Sequence, residues 1–178
     1  RSCQHLIDGL ISITIPGTQV VYVGELWTHD KDVRFPQISG EVRRHSPSTD
    51  LQFMAFDMLP PGLETTEAYK RRYTRLMERV DSRMVSGIYL TPDVGRNVVD
   101  PMEAAAKLKA TGKYDGAILR DPNAGYKVGL VKNGEIVKVK PVLSLDLEVV
   151  AVYTEPGEKT GRDVYSIAVV YKGVMSKV

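Results

Sequence analysis

Apolar residues recur along this chain with two periods, and each period predicts one kind of element. A spacing of three to four residues is typical of an amphipathic helix, and alternation or a short apolar run is typical of a strand. The predicted helices are 4–13, a short one opening at Phe35, 65–84 and 100–111. The predicted strands are 20–27, 51–59, 85–90, 117–119, 136–140, 146–153 and 164–171.

The longest predicted helix, 65–84, has one apolar face and many cations. Its apolar positions are Tyr69, Tyr73, Leu76, Met77, Val80 and Met84, and its basic ones are Lys70, Arg71, Arg72, Arg75 and Arg79. We expect a helix that packs on the core by its apolar face and exposes the basic residues. The helix at 100–111 begins with a capping acid, Asp100, and a proline at its first position.

The strand 136–140 carries two lysines on one face. Alternation places Lys138 and Lys140 together with Ile136, and predicts that Val137 and Val139 point into the core. Cations held side by side repel each other, so a shared anion such as a phosphate is a natural partner. The alternative is a solvated edge strand whose lysines discourage aggregation.

Three further residues are candidates for chemistry. Asp115, before the strand 117–119, could hold a divalent metal on a phosphate near those lysines. Glu25 ends a β-rich run, where a buried carboxylate needs a ligand or a hydrogen bond, although an exposed carboxylate is equally consistent with the pattern. Phe56 is either a core residue or a platform for a flat base.

Composition sets limits on these ideas. The 178 residues are 43% hydrophobic and 26% charged, with a net charge of +2, which is ordinary for a globular protein and neither requires nor excludes a nucleic-acid partner. A single cysteine, Cys3, excludes an internal disulfide framework. No apolar run approaches the roughly 20 residues that span a bilayer, and no signal peptide is visible, so no membrane partner is expected. The first residues suggest an internal piece of a longer chain.

The pattern changes after Pro141. The segments that follow are short, alternating and without helices, as in a small β-barrel or sandwich. We therefore predict two domains, 1–141 and 142–178, and an α+β fold.

Five sequence elements occur in a distinctive order. They are Gly24-Glu25-Leu26 after a strand, Phe53 to Leu59 (Phe-x-x-Phe-Asp-x-Leu), Asp115 to Pro122 followed by Tyr126-Lys127, Lys138 to Pro141, and Asp146 to Val150. In this order they resemble the covalent nucleotidyltransferases, most closely the ATP-dependent DNA ligases and then RNA ligases and mRNA capping enzymes. The resemblance covers nearly the whole chain.

This resemblance implies a fold and a reaction. It implies an antiparallel-sheet, ATP-grasp-like nucleotidyltransferase domain, incomplete at its N-terminus, and then the beginning of an OB-fold. It implies a monomer inside a cell or a virus-infected cell that uses ATP and Mg²⁺ to seal nicked double-stranded DNA in replication, repair and recombination. A lysine of such an enzyme takes AMP from ATP and passes it to the 5′-phosphate, from which the 3′-hydroxyl displaces it.

The resemblance also assigns roles to single residues. Phe56 would stack on adenine, and Glu25 would bind the ribose or position a metal. Asp115 would help to bind the metal, while Lys138 and Lys140 would hold the α-phosphate and stabilise its developing charge. Arg120 is expected to be structural or to contact the backbone.

The sequence departs from the family pattern in several places. Glu is usual where Asp115 stands, so a metal role here requires a water bridge or a shifted strand. Val23 replaces an acid that often precedes Gly-Glu. The nucleophile motif Lys-x-Asp-Gly is absent upstream of Gly24 and the late OB-domain motif is absent too, so we expect that the 178 residues alone do not self-adenylylate.

One segment imitates the nucleophile motif. Lys113-Tyr114-Asp115-Gly116 spells Lys-x-Asp-Gly, but its arginine falls two places too late and the gap to Asn133-Gly134-Glu135 is too short. The Phe-Asp element would also precede the nucleophile. We therefore interpret Lys113 as a bystander.

Two other functions are consistent with the sequence. One is an RNA ligase or an mRNA capping guanylyltransferase of the same superfamily. The other is a non-catalytic module that grips nucleic acid through its backbone.

Overall fold

A computed structural model describes most of the chain. It covers residues 2–30, 33, 35–48, 50–93, 95, 98–129, 134–142, 144–157 and 161–178, with Phe35 described by its backbone alone. The helices are α1 (Gln4–Ser12), α2 (Phe35–Arg43), α3 (Tyr69–Arg83) and α4 (Pro101–Ala110). The strands are β1 (Val21–Trp27), β2 (Gln52–Leu59), β3 (Ile88–Leu90), β4 (Ala117–Arg120), β5 (Ile136–Val139), β6 (Val149–Pro156), β7 (Asp163–Tyr171) and β8 (Val174–Lys177).

These elements form two compact units, Arg1–Pro141 and Val142–Val178. The first holds a three-stranded sheet in the order β1-β2-β3 and a two-stranded sheet of β4 and β5. The second holds a three-stranded sheet in the order β6-β7-β8. The structure confirms a mixed α+β protein with antiparallel sheets, in which β2 and β3 are the described pair that runs parallel.

The core of the first unit lies around β2, whose Ala55 and Met58 belong to it. Apolar side chains from α1, β2, α3 and β3 meet there and exclude solvent, which stabilises the unit through the hydrophobic effect. The buried members of this cluster are Leu6, Ile13, Leu51, Ala55, Met58, Leu76, Val80 and Ile88.

A β-bulge interrupts the pairing of β1 with β2. The register passes from Val23 opposite Asp57 to Gly24 opposite Ala55, so Phe56 has no partner residue on β1. The ladder therefore leaves the extra residue, Phe56, to be held by other contacts.

Two predictions about side-chain direction are wrong. Arg72 was expected on the exposed side of its helix, but it is only 1% exposed. It lies one helical turn before Leu76 and therefore on the same buried face as Leu76 and Val80. Val137 was expected in the core, but it is 41% exposed, whereas Val139 is buried as predicted. The short β4–β5 sheet thus buries the end of β5 and leaves its middle open.

Some predicted boundaries also shift. The third helix begins at Tyr69 rather than at residue 65, β3 begins at Ile88 rather than 85, and β6 begins at Val149 rather than at 146. The other predicted helices and strands lie within a few residues of their predicted positions, and β8 is an additional strand.

Candidate functional site

The β4–β5 sheet brings the predicted metal acid and the two lysines together. Its register places Ile118 opposite Lys138 and Ala117 opposite Val139. Asp115, which precedes β4, therefore lies near Lys140, which follows β5. Lys140 Nζ donates to Asp115 Oδ2 at 2.9 Å. The side chains of both residues remain open to solvent, with exposures of 48% for Lys140 and 85% for Asp115.

Electrostatics at this edge favour the charged form of Asp115. The hydrogen bond from Lys140 is the main cause that lowers the pKa of Asp115, and the charge of Lys140 lowers it further. Desolvation opposes this shift slightly, and the charges of Lys109 and, last, Lys138 add to it. Asp115 is therefore a carboxylate anion held beside the ammonium group of Lys140.

A glycine makes this close approach possible. A Cβ on Gly116 would lie 2.3 Å from the carbonyl oxygen of Val139 and 3.1 Å from the Cα of Lys140. Because no side chain fits there, β4 can begin directly against the end of β5. The glycine beside Asp115 thus holds that acid next to Lys140.

Glu25 and Phe56 lie on the other sheet. Glu25 is exposed on β1 opposite Met54, which agrees with the alternative interpretation of Glu25 as an exposed carboxylate. Phe56 is half-buried on β2 and is joined to β4 through Arg120, whose guanidinium carbon is 5.6 Å from the ring centroid of Phe56. The structure therefore brings Asp115, Lys138 and Lys140 together, and it connects Phe56 to the same strand pair through Arg120.

A buried ionic cluster of Asp57, Arg72 and Arg120 was missed by the sequence analysis. Asp57 is fully buried, and Arg72 bonds both its carboxylate oxygens, Nε to Oδ1 at 2.9 Å and Nη2 to Oδ2 at 3.0 Å. Arg120 Nη1 bonds Oδ2 as well, at 3.0 Å. The sequence predicted a structural role or a backbone contact for Arg120, but it did not predict the partners of Arg72. Its burial could have been predicted from the sequence, because Arg72 lies four residues before Leu76 and therefore on the apolar face of the helix.

The loop after β4 supplies the missing cap of α3. Ala68, which precedes the helix, makes no side-chain cap. Tyr69 N–H instead donates to the carbonyl of Ala124 at 2.8 Å, and Lys70 N–H to that of Pro122 at 2.9 Å. These bonds satisfy backbone donors that a helix start leaves unpaired. The Asp-Pro segment therefore has a structural task in addition to its place in the motif.

The remaining candidates lie apart from this site. Lys113 is exposed and lines a small crevice with Trp27 and His29. Asn133, part of the rejected alternative, lies outside the described residues. Within the described part of the chain, no group of three or more His, Cys, Asp or Glu is placed to hold a metal. No helix there is both long and apolar enough to cross a membrane.

Solved structures with the same architecture are DNA ligases. The crystal structure of Chlorella virus DNA ligase-adenylate superposes with a TM-score of 0.56 at 16% identity, over 96% of this chain and 65% of the viral one. A Lig E DNA ligase, described as binding DNA with a minimal scaffold, gives 0.66 at 21% identity, over 87% of this chain and 59% of the ligase. The chain has a DNA ligase fold.

The likeness concerns the fold, and it extends along most of the sequence. A second crystal structure of the Chlorella virus ligase-adenylate matches with a TM-score of 0.57 at 16% identity, over 97% of this chain and 64% of that one. The chain thus spans between 59% and 65% of the length of these ligases. No protein-family model and no curated protein matches the sequence. The resemblance that the motif order predicted is confirmed at the level of the ligase fold.

Proposed function

We propose that this chain is part of the catalytic core of an ATP-dependent DNA ligase. Its first unit would be the nucleotidyltransferase domain and its second the beginning of an OB-fold. The observation that carries the proposal is the group of Asp115, Lys138 and Lys140 at one edge of the β4–β5 sheet, within a ligase fold.

The proposed reaction joins a 5′-phosphate to a 3′-hydroxyl. A lysine nitrogen displaces pyrophosphate from ATP, and the 5′-phosphate oxygen then displaces that lysine from AMP. The 3′-hydroxyl oxygen finally attacks the 5′-phosphate and AMP leaves. We place the nucleophilic lysine outside these 178 residues, so the present chain binds nucleotide without a covalent bond.

Lys138 and Lys140 contribute positive charge to each step of the proposed reaction. The negative charge on the α-phosphate oxygens grows in each transfer, and a fixed ammonium group stabilises it more as it grows. Lys138 is exposed on β5, and Lys140 is held by Asp115 in a defined position. Phe56 would receive the adenine, and Glu25 the ribose.

A divalent metal fits the residues at this site in part. Mg²⁺ retains several waters and commonly uses one or two carboxylates with substrate phosphates, so a cage of protein ligands is not needed. Asp115 offers an exposed carboxylate beside the proposed phosphate position, and Glu25 offers a second on β1. When bound, the metal would neutralise charge on the phosphate.

Nucleotide binding by single-lysine variants tests the proposal. We expect Lys138→Ala and Lys140→Ala each to weaken binding of labelled ATP by roughly 10-fold, the value of one charge-assisted hydrogen bond. Lys107→Ala, which removes an exposed lysine paired with Glu103 on α4, is the matched control and should bind normally. Equal affinity in all four proteins would contradict the assignment.

The nucleic-acid partner needs its own measurement. The chain should prefer a nicked DNA duplex to an intact duplex and to a nicked RNA duplex in a competition assay. Salt-sensitive binding that ignores both the nick and ATP would favour a plain nucleic-acid-binding module. Preference for nicked RNA would favour an RNA ligase.

A further inference from the structure

In the buried cluster of Asp57, Arg72 and Arg120, two arginines bond one carboxylate. One arginine would be enough to neutralise the charge of Asp57. Arg72 bonds both oxygens of Asp57, and the backbone N–H of Met58 donates to Oδ1 at 2.8 Å, so both oxygens have partners without Arg120. Arg120 nonetheless reaches into the same place, and its side chain is 13% exposed. A second guanidinium in a buried site adds desolvation cost, which calls for a further reason for its position.

The other contacts of Arg120 indicate that reason. Its Nη1 donates to the carbonyl oxygen of Phe56 at 3.4 Å, and its guanidinium carbon lies 4.3 Å from the ring centroid of Tyr69. The hydroxyl of Tyr69 donates to the same carbonyl of Phe56 at 3.2 Å. Two side chains from outside β2 therefore converge on the backbone of one residue.

That residue is the one the sheet leaves unsupported. Phe56 is the bulge residue of β2 and has no partner on β1. Its carbonyl is held by Tyr69 and Arg120, and its ring lies 5.6 Å from the Arg120 guanidinium, within the range of a cation–π contact. The orientation of the ring thus depends on contacts that come from α3 and β4.

We propose that Arg120 is a positioning residue for Phe56, held in its own place by Asp57. Arg72 holds the carboxylate of Asp57, and Asp57 holds the guanidinium of Arg120. Arg120 together with Tyr69 then fixes the backbone and ring of Phe56. The inference rests on the proposed function in one respect only, namely that the ring of Phe56 receives the adenine.

A double-mutant cycle on nucleotide affinity tests the coupling. Phe56→Ala and Arg120→Met should each weaken ATP binding about fivefold to tenfold, and the double variant should bind no more weakly than Phe56→Ala alone, because residues of one unit are not additive. Arg75→Met is the control, since it removes an arginine of α3 that is 50% exposed and paired with Glu67, which precedes that helix, and it should leave affinity unchanged. Additive losses, or normal binding by Arg120→Met, would overturn the proposal.

A second readout does not depend on ATP. The chain has three phenylalanines, so 4-fluorophenylalanine labelling yields few fluorine resonances, and the one absent from Phe56→Leu identifies Phe56. We expect a single narrow Phe56 line in the parent and in Arg75→Met, and a broadened or split line in Arg120→Met. A Phe56 line that stays narrow in Arg120→Met would refute the positioning role.

The two readouts separate the possible failures. If the parent binds no ATP and the Phe56 line broadens in Arg120→Met, the proposed function fails and the positioning role stands. Arg120→Lys guards against loss of folding, because it keeps a cation for Asp57 but lacks the planar fork. It should melt near the parent temperature while its Phe56 line still broadens, and a narrow line there would count against Arg120.

Discussion

Asp57 is a carboxylate from which solvent is excluded, and its two arginine partners come from other elements. Removing its charge would leave the guanidinium groups of Arg72 and Arg120 close together without a counter-charge. Breaking a buried ion pair from one side is far more costly than losing an exposed pair.

Asp57→Asn is therefore expected to be strongly destabilising. We predict a loss of about 3–5 kcal/mol in the free energy of unfolding, measured by urea denaturation. The control is Glu103→Gln, which breaks an exposed pair with Lys107 on α4 and should cost less than about 1 kcal/mol. A loss in Asp57→Asn as small as that of the control would show that the cluster is not a stabilising unit.

The pair of Asp115 and Lys140 predicts a pH dependence. Because the hydrogen bond from Lys140 lowers the pKa of Asp115, the small stabilisation it gives is present above the carboxyl's ordinary pKa. It disappears as the pH falls through the lowered pKa of the folded state. The carboxylate is 85% exposed, so solvent screening limits the effect to about 0–1 kcal/mol.

An NMR titration of the Asp115 carboxyl carbon measures this shift directly. The midpoint should lie below the ordinary value for aspartate in the parent and rise towards it in Lys140→Met. Lys107→Met should leave the midpoint unchanged, because that lysine pairs with Glu103. If Lys140→Met also left it unchanged, Lys140 would not be the source of the shift.

At the scale of elements, the meeting of β1 with β2 depends on Gly24. A Cβ there would lie 2.5 Å from the carbonyl oxygen of Met54 and 2.5 Å from Cζ of Phe53. The carbonyl belongs to the strand ladder, so it cannot easily move. Beside the bulge at Phe56, the two strands therefore lie too close for a side chain at position 24.

Gly24→Ala should destabilise the chain by about 1–3 kcal/mol, as other overpacked positions do. Gly40→Ala serves as the control, because a Cβ added at Gly40 in α2 would meet, among the described residues, no atom within 4 Å outside the adjoining helix backbone. That change should raise stability by about 0.5–1 kcal/mol, since alanine favours a helix. Thermal unfolding of both variants checks the opposite signs, and a neutral Gly24→Ala would contradict the close approach.

Elements with local signals could be predicted from the sequence, whereas elements defined by distant partners could not. Asp100 marks the start of α4 by its residue type, and its carboxylate does accept from Met102 N and Glu103 N at 2.9 and 3.0 Å. The start of α3 carries no such signal, because its cap comes from Pro122 and Ala124, about fifty residues later.

The same distinction applies to the candidate site. Alternation in β5 was sufficient to group Lys138 with Lys140, and the place of Asp115 just before β4 was sufficient to make it a candidate metal acid. The burial of Arg72 depends on Asp57, and that of Arg120 on Phe56 and Asp57, which lie on a different sheet. The sequence pattern of one segment contains no information about partners that lie on other strands or helices.

At the scale of the whole molecule, the two units differ in how much they bury. In the second unit only Ala168 and Val169 are buried among its described residues, while Val152, Tyr165 and Met175 are 65%, 69% and 64% exposed. A sheet with so few buried side chains gains little from the hydrophobic effect, and local opening should cost less there.

Hydrogen exchange should separate the units. We predict that amide protons of β7 exchange at least about tenfold faster than those of β2, although both strands are central in three-stranded sheets. Mass spectrometry of peptides covering each strand makes the comparison. Equal protection would mean that the second unit is as resistant to opening as the first.

The spacing of the Asp57 cluster along the chain implies an order of folding. Arg72 is 15 residues from Asp57, whereas Arg120 is 63 residues away. Closing the longer loop costs about 1 kcal/mol more in chain entropy, so the shorter contact should form first. Asp57 can then enter the interior with its charge already compensated, before β4 exists. The segment from β2 to α3 is thus able to act as a folding nucleus on which the β4–β5 sheet condenses later.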